Sequence, residues 1–370
     1  MVMARKILEV EKNPLITSEC WTYYKLSVMQ TIPFFDLWLA NHMKMYLDQN
    51  GDAVFGDNGC MYPLSYFSDI LDISDANILS VSADKIVQFL INQIDENNYI
   101  IIDVNYKKLK DRDSLQFWLH ETLIYGYDTE NEEFFTPMLS HGTFKETRIG
   151  FEELALAYKD AYERYTQDKA LLFNRRVWFY GITALKPKKE YENTNVFYDF
   201  IYKLKWEKEG NFYERQKHAS DFEHVESYVY YTGISCMLYL ASYTRKLMEH
   251  EDIKEGDIVR CRNSCLKIYE NQKIVLRSMK WFRGKIANEN EVLEELSQKY
   301  EKCCEQVYIN VLQYEKRRYT KNQEILVHVI ENLEQLYWLE KEILEEYIVT
   351  ATSVYTKYLE FLSMYEKKSR

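Results

Sequence analysis

The stretch Leu119–Leu154, LHETLIYGYDTENEEFFTPMLSHGTFKETRIGFEEL, decides the fold of the front half of this 370-residue chain. His120 enters a run rich in β-branched and aromatic residues, and Asp128–Asn131 supply turn-forming side chains. A second short strand over Glu132–Met138 follows, then a turn containing glycine and an amphipathic helix that starts at Phe151. The stretch therefore predicts a β-hairpin that opens at a histidine.

The residues before this hairpin predict a mixed α and β structure. Apolar side chains recur at helical spacing in three segments, and one continuous apolar run is long enough for a buried strand. The predicted helices are Cys20–Met29, Phe34–Asp48 and Ala83–Glu96, and the predicted strand is Tyr99–Tyr106.

The residues after the hairpin change character from mixed to helical. One more helix, Phe151–Tyr165, and one more strand, Arg176–Leu185, are predicted before the signal becomes almost purely helical. We expect residues 1–210 to form an α+β domain and residues 211–370 a helical bundle, joined near Gly210. The long helices fit either an intramolecular bundle or pairing with a second copy. The predicted long helical segments are Val225–His250, Asp257–Phe282, Glu289–Arg318 and Lys321–Tyr365.

Composition narrows the classes of partner and compartment. The formal net charge of -11 argues against a nucleic-acid partner, because that binding depends on clustered Lys and Arg. The most apolar window, Val229–Ala241, is too short to span a bilayer, so we expect no membrane association. The N-terminus has no secretory signal, and the odd count of seven cysteines favours reduced thiols, so we expect a cytoplasmic protein.

Cys20 and His120 form a candidate catalytic pair. Cys20 opens a predicted helix after Ser18 and Glu19, and the free N–H groups of a first helical turn lower the pKa of a thiol. His120, held on a strand, is then the candidate general base that accepts the thiol proton. The alternative is a buried cysteine that packs as a small apolar residue.

The run His120–Asp128, HETLIYGYD, together with Phe134–Phe135 and the helix start at Phe151–Leu154, resembles the butirosin biosynthesis protein H N-terminal family. That family is related to the C39-like, papain-fold cysteine peptidases, and the resemblance covers about residues 8–165, with Cys20 at the position of its early cysteine. It implies an α+β, papain/C39-like N-terminal domain with a small antiparallel sheet, followed by a C-terminal α-helical bundle. It also implies an acyltransferase of an antibiotic or nonribosomal-peptide pathway, with an acyl-thioester intermediate on Cys20.

The sequence departs from this pattern at two positions. Related peptidase-like proteins carry an Asp on the strand after the histidine to orient the imidazole, whereas this strand has no carboxylate and offers Thr136 and Ser140. The glutamine of the oxyanion hole is also missing, and Asn13 is the nearest amide. Two functions therefore compete: a cysteine-dependent acyltransferase or thioester-cleaving enzyme, and a non-catalytic relative that acts as an accessory or scaffold protein.

The expected partners follow from the enzyme hypothesis. They are an acyl or peptidyl carrier protein and a small-molecule acceptor, and an acidic carrier would dock on a local basic patch. We expect no cofactor and no metal, because core packing explains the remaining cysteines and a polar helix start explains His218 and His224, although alternatives with metal ligation by these residues exist. The residues of the candidate basic patch are Lys107, Lys108, Lys110 and Arg112, and the cysteines assigned to the core are Cys261, Cys265, Cys303 and Cys304.

Overall fold

The structure is a computed structural model that divides into two compact units. Unit 1 comprises Met1–Phe35 and Pro63–Tyr191, and unit 2 comprises Asp36–Tyr62 and Glu192–Arg370. The structure describes residues 4–57, 60–61, 64–109, 119–140, 143–168, 181–218, 225–250, 252–286 and 290–368.

The strands within these ranges are short and form three antiparallel sheets. In chain order they are β1 (Arg5–Ile7), β2 (Met45–Asp48), β3 (Ala53–Asp57), β4 (Cys60–Met61), β5 (Leu71–Asn77), β6 (Tyr99–Asn105), β7 (Leu119–Ile124), β8 (Gly126–Asp128), β9 (Glu133–Ser140), β10 (Thr143–Gly150), β11 (Gly181–Pro187), β12 (Phe212–His218) and β13 (Val225–Thr232).

The helices lengthen toward the C-terminus. In chain order they are α1 (Cys20–Met29), α2 (Phe35–Leu39), α3 (Ile86–Asp95), α4 (Phe151–Gln167), α5 (Val196–Glu209), α6 (Ser235–Met248), α7 (Glu255–Ile286), α8 (Glu291–Thr320) and α9 (Glu324–Lys368). Among the described residues, none of these helices is both long and apolar enough to cross a bilayer.

Unit 1 contains two four-stranded antiparallel sheets, with strand orders β1-β8-β9-β10 and β5-β11-β6-β7. The turn between β8 and β9 forms because Asp128 Oδ1 accepts the backbone N–H groups of Glu130 and Asn131, at 3.0 and 3.1 Å. Helices α3 and α4 cover the sheets and bury an apolar core that includes Leu90 and Tyr158. Every residue of β6 is buried, so this strand lies in the middle of the unit.

Unit 2 joins a five-stranded sheet, ordered β12-β13-β2-β3-β4, to a set of long helices. Helix α8 packs along α7 and α9, and α9 also contacts α5 and α6. Buried side chains recur every three or four residues along α8, from Leu293 through Tyr300 and Val307 to Tyr314, which is the spacing of one helical face. Because of this spacing, α8 buries one face against α7 and α9.

The mixed α+β class with a C-terminal helical bundle, predicted from the sequence, is confirmed. Helix α1, strand β6 and the turn after Asp128 also match their predictions. The hairpin does not open at His120 as predicted, because β8 and β9 form it, whereas His120 lies on β7, which pairs with β6 in the other sheet. Two predicted helices are wrong in part, because Phe34–Asp48 ends in strand β2 and Val225–His250 begins as strand β13. These strands pair with each other, which is a contact between distant parts of the chain that local periodicity does not report.

Two buried side chains of opposite charge, Lys203 and Glu207, lie one turn apart on helix α5 of unit 2 and interact electrostatically. The side chains of Lys203 and Glu207 are 1% and 2% exposed, and Lys203 Nζ donates to the carbonyl oxygens of Leu39 and His42 at 3.1 and 2.6 Å. Glu207 Oε2 accepts a hydrogen bond from Asn271 Nδ2 at 3.1 Å. Burial lowers the pKa of Lys203 and raises that of Glu207, and the attraction between the two charges opposes both shifts.

Replacing Lys203 with methionine is expected to destabilise the protein by about 3 kcal/mol, because the change leaves the Glu207 charge buried without its cation. Urea denaturation measures this loss. The double variant Lys203→Met/Glu207→Gln is expected to recover part of the stability, since it removes both charges. A loss below about 1 kcal/mol in the single variant would contradict the pairing.

Candidate active site

Helix α1 places Cys20 at its first residue. The backbone of Glu19 is extended, with φ -133° and ψ 119°, and its carbonyl accepts the N–H of Tyr23 at 2.8 Å to begin the helix. The Glu19 side chain accepts a hydrogen bond from the hydroxyl of Thr22 at 2.9 Å. Cys20 is half-buried and has no disulfide partner, so its thiol is available for chemistry.

Strand β7 places His120 and Glu121, whose side chains are both buried. The strand lies at the edge of its sheet and pairs with β6, where Val104 is opposite His120 and Asp103 is opposite Glu121. An edge strand has one side without a strand partner, and its polar groups then bond to side chains of other elements. Helix α1 contacts β7, which brings Cys20 to these two residues.

The three side chains form a compact cluster. Cys20 Sγ donates a hydrogen bond to Glu121 Oε1 at 3.1 Å, and His120 Nδ1 lies 3.9 Å from Glu121 Oε2. One donor atom from each residue lies within 4.8 Å of the others. A thiol, an imidazole and a carboxylate at this spacing can exchange protons, and they can also hold a metal ion.

The backbone carbonyl of Glu121 anchors the imidazole. It accepts hydrogen bonds from His120 Nδ1 at 2.7 Å and from the hydroxyls of Tyr24 and Tyr106, each at 3.0 Å. A carbonyl only accepts, so Nδ1 carries a proton, and in the neutral imidazole Nε2 carries the lone pair. The Tyr106 ring lies 4.8 Å from the imidazole and packs against it at 39°. The tautomer and the position of the ring are therefore both determined by neighbours.

The electrostatics of Cys20 differ from the prediction. Burial raises the pKa of the thiol far above its ordinary value, and the Glu121 carboxylate raises it further through its charge and its hydrogen bond. The backbone N–H of Trp21 lowers the pKa, which is the predicted effect of a helix N-terminus, but it is outweighed. The lowered pKa predicted for this thiol from the helix N-terminus is therefore wrong in its direction, because burial and Glu121 raise the pKa.

A buried lysine lies next to the cluster. Lys25 is fully buried, and its Nζ donates to the carbonyl of Trp21 at 2.7 Å on the same helix. Burial lowers the pKa of Lys25, while the negative charge of Glu121 acts in the opposite direction. A cation at this position would stabilise either the carboxylate or a thiolate, so Lys25 belongs to the electrostatics of the site.

Thr136 and Ser140, which were predicted to orient His120, have other contacts. Thr136 Oγ1 bonds to Thr122 Oγ1 at 2.8 Å and to the carbonyl of Pro137. Ser140 pairs with Thr143 at the end of the β9–β10 ladder, and its side chain lies outside the described residues. Strand β9, which carries both residues, pairs along its length with β10, a strand that was not predicted from the sequence. The orienting group is the Glu121 carbonyl.

Glu121 is a residue of the candidate site that the sequence did not predict. Neighbouring side chains on a strand point to opposite faces, so the residue after a catalytic histidine is normally discounted. Two features of the sequence could have indicated Glu121. One is its position next to His120, and the other is Tyr24, which follows Cys20 by four residues, shares its helix face and donates a hydrogen bond to the Glu121 carbonyl.

The remaining predicted sites contribute less. Asn13 is exposed, and its backbone N–H bonds to Glu11 at 2.9 Å. In the candidate basic patch, Lys108 lies 3.9 Å from Asp160, while Lys110 and Arg112 lie outside the described residues. The side chains of His218 and His224 lie outside them too. The prediction of core packing is confirmed for the four cysteines of the helical bundle, which are buried free thiols: Cys261, Cys265, Cys303 and Cys304.

Comparisons with known proteins add no family to this geometry. No protein-family model matches the chain, and no curated protein matches it. The resemblance to the butirosin biosynthesis protein H family therefore stays a prediction from residues 8–165. What the structure contributes is the cluster of Cys20, His120 and Glu121.

Proposed function

We propose that this chain is a cysteine-dependent acyltransferase or thioester-cleaving protein, with Cys20 as nucleophile and His120 as general base. One observation carries the proposal: a thiol, an imidazole and a carboxylate from residues about 100 positions apart have donor atoms within 4.8 Å of one another. This is the set that thiol catalysis uses. We assign unit 1 a papain/C39-like arrangement on the same grounds.

The reaction has two half-steps. In the first, the Sγ–H bond of Cys20 breaks, its proton passes to His120 Nε2, and Sγ bonds to the acyl carbon of a thioester. The leaving thiolate then takes the proton from His120. In the second, an amine or water attacks the acyl-enzyme, His120 accepts the proton of the attacking group, and the thiolate of Cys20 leaves and is reprotonated.

Glu121 has two effects on these steps. Its hydrogen bond holds Cys20 as a thiol at rest, so the thiol must turn from Glu121 toward His120 to react. Its carboxylate, 3.9 Å from Nδ1, stabilises the imidazolium that forms when His120 accepts the proton. Imidazole suits the role of base better than a carboxylate does, because its ordinary pKa of about 6.5 is closer to that of a thiol.

A carrier protein is the proposed donor of the acyl group, with a small-molecule amine or alcohol as acceptor, in an antibiotic or nonribosomal-peptide pathway. Cys20 is half-buried at the first residue of a helix, and a donor that reaches it on a flexible arm suits this position. Lys107 and Lys108 give an acidic carrier a basic contact on the turn that follows β6.

A second function, a non-catalytic accessory protein with the same fold, is favoured by one specific observation. Burial and Glu121 raise the pKa of Cys20, which is the opposite of what a thiolate enzyme needs at rest. The enzyme remains our proposal, because His120 and its fixed tautomer have no use in a scaffold.

Incubation with an acyl-N-acetylcysteamine thioester is expected to add one acyl mass to Cys20, detected by intact-mass and peptide mass spectrometry. Cys20→Ala is expected to abolish the adduct, and His120→Ala to slow its formation by at least about 100-fold. Glu121→Gln is expected to slow it about 10-fold, because the imidazolium loses its carboxylate.

Glu130→Gln is the matched control for Glu121→Gln, since Glu130 is an exposed carboxylate on the turn between β8 and β9. It is expected to react at the wild-type rate. Circular dichroism and melting temperature separate a loss of reactivity from a loss of fold. An adduct that forms equally well in the His120→Ala variant, or none in folded wild type with any acyl length, would favour the accessory protein.

A further inference from the structure

We propose that Cys20, His120 and Glu121 form a zinc site, in which Zn²⁺ binds the thiolate, one imidazole nitrogen and a carboxylate oxygen, and a water completes the coordination. This donor set is one that zinc takes in proteins, where sulfur, nitrogen and oxygen ligands are combined and one position stays open. Calcium and magnesium prefer oxygen ligands alone, so the sulfur and the nitrogen select against them.

The spacing of the donor atoms fits a zinc ion after small side-chain movements. Zinc bonds of about 2.0 to 2.3 Å in a tetrahedral arrangement place neighbouring donor atoms about 3.5 Å apart. Cys20 Sγ and Glu121 Oε1 are already 3.1 Å apart, and the full set lies within 4.8 Å. Closing the set requires a movement of about 1 Å, which rotations of the Glu121 and Cys20 side chains supply.

A second observation comes from the hydrogen bonds around the imidazole, which leave Nε2 as the nitrogen that would bind the ion. Histidines that bind metals almost always donate their other ring N–H to a carbonyl or a carboxylate, which fixes the tautomer and the ring. His120 Nδ1 makes this bond to the Glu121 carbonyl at 2.7 Å. The hydroxyls of Tyr24 and Tyr106 hold the same carbonyl in place. The outer contacts of a metal-binding histidine therefore already exist.

The charges and the protons of the complex balance. Binding breaks the Sγ–H bond, forms a Zn–Sγ bond and releases one proton to solvent. The thiolate and the Glu121 carboxylate together carry two negative charges, which neutralise Zn²⁺. Cys20 is half-buried, while His120 and Glu121 are buried, so the ion would enter from the side of Cys20.

Zinc at this site would act as a reversible block on the thiol. The Sγ lone pair that attacks an acyl carbon is the one that binds the metal, so the two uses exclude each other. The block rests on the proposed function, whereas the binding of zinc does not. A chelator restores the free thiol, which makes zinc a regulator of access to Cys20.

The binding is tested by titrating the full chain with Zn²⁺ in competition with a chelating dye. We expect one zinc bound per chain, and a loss of at least about 10-fold in affinity in Cys20→Ser and in Glu121→Gln, each nearly isosteric. With Co²⁺ as probe, we expect a sulfur-to-metal charge-transfer band in wild type that is absent in Cys20→Ser. His328→Gln, a change at an exposed histidine beside Glu331, is the control and is expected to bind like wild type.

Alkylation of Cys20 supplies a readout that does not depend on catalysis. One equivalent of Zn²⁺ is expected to protect Cys20 from iodoacetamide by at least about 10-fold, and EDTA to reverse the protection. Wild-type affinity in Cys20→Ser, or unchanged alkylation with zinc present, would overturn the site. Zinc binding without any acyl-enzyme would leave the site intact and overturn only the proposed function. Acylation without zinc binding would do the reverse.

Discussion

Alkylation of Cys20 by iodoacetamide is expected to accelerate about 10-fold when Glu121 is replaced by glutamine. The carboxylate raises the pKa of the thiol through its charge and through the hydrogen bond it accepts from Sγ–H. Glutamine keeps the shape and an acceptor oxygen but removes the charge, so the pKa falls. Each unit of that fall multiplies the thiolate fraction by ten at any pH below the pKa. Reaction rates are read by peptide mass spectrometry between pH 6 and 10.

The pH dependence of the alkylation rate shows whether the pKa of Cys20 is raised or lowered. In wild type the rate is expected to keep rising through pH 9, because a pKa raised by burial leaves Cys20 protonated across the neutral range. A thiolate–imidazole pair would instead react well below pH 8 and lose that reactivity in His120→Ala. NMR titration of the Cys20 Cβ shift repeats the measurement without a reagent that must reach the site. A Glu121→Gln variant that reacts more slowly than wild type would contradict the assigned role of the carboxylate.

Glu121→Gln also distinguishes the effect of the carboxylate on the resting thiol from its effect on the reaction with a thioester. Glu121→Gln is expected to speed alkylation and to slow acylation by a thioester, because the carboxylate opposes the thiolate but supports the imidazolium. A purely structural role for Glu121 would change both rates in the same direction. The opposite changes are therefore the signature of a carboxylate that acts on both partners.

The sequence correctly predicted the helices and turns that form through contacts between residues close together in the chain. Cys20–Met29 is a helix as predicted, and the turn at Asp128 forms through a side chain that bonds its own backbone. Strands β2 and β13 were missed because they pair across about 180 residues, and the Tyr and Val side chains of Val225–Thr232 also suit one helical face. Non-local pairing is invisible to a window of local periodicity.

The candidate site was predictable in its residues and not in its electrostatics. Cys20 and His120 were named from their positions, and the structure brings them together. The predicted low pKa of the thiol considered the helix N-terminus alone. The sign of the shift depends on burial and on Glu121, and both follow from how α1 meets the edge of a sheet. Such a contact is set by tertiary packing, which outweighs the field of one helix.

Replacing Gly233 with alanine is expected to destabilise unit 2 by at least about 3 kcal/mol. Gly233 turns the chain from β13 into α6 with φ +54°, a conformation that L side chains rarely adopt. An added Cβ would lie 2.3 Å from the carbonyl oxygen of Glu207 and 2.9 Å from its Cα. These are backbone atoms, and the same carbonyl accepts the N–H of Ile234 at 3.0 Å, so the clash cannot be relieved by a side-chain rotation.

Gly284 supplies the matched control, because it lies within helix α7 and an added Cβ meets nothing within 4 Å. Gly284→Ala is expected to stabilise the protein by about 0.5 to 1 kcal/mol, since alanine restricts the unfolded chain and favours the helix. Gly233→Asn tests the cause: asparagine tolerates positive φ but carries the same Cβ, so it is expected to fail as alanine does if the clash decides. Urea denaturation of the three variants gives the free energies. Similar stabilities for Gly233→Ala and Gly284→Ala would mean that the Glu207 backbone yields, and the buried Lys203–Glu207 pair would then have to move with it.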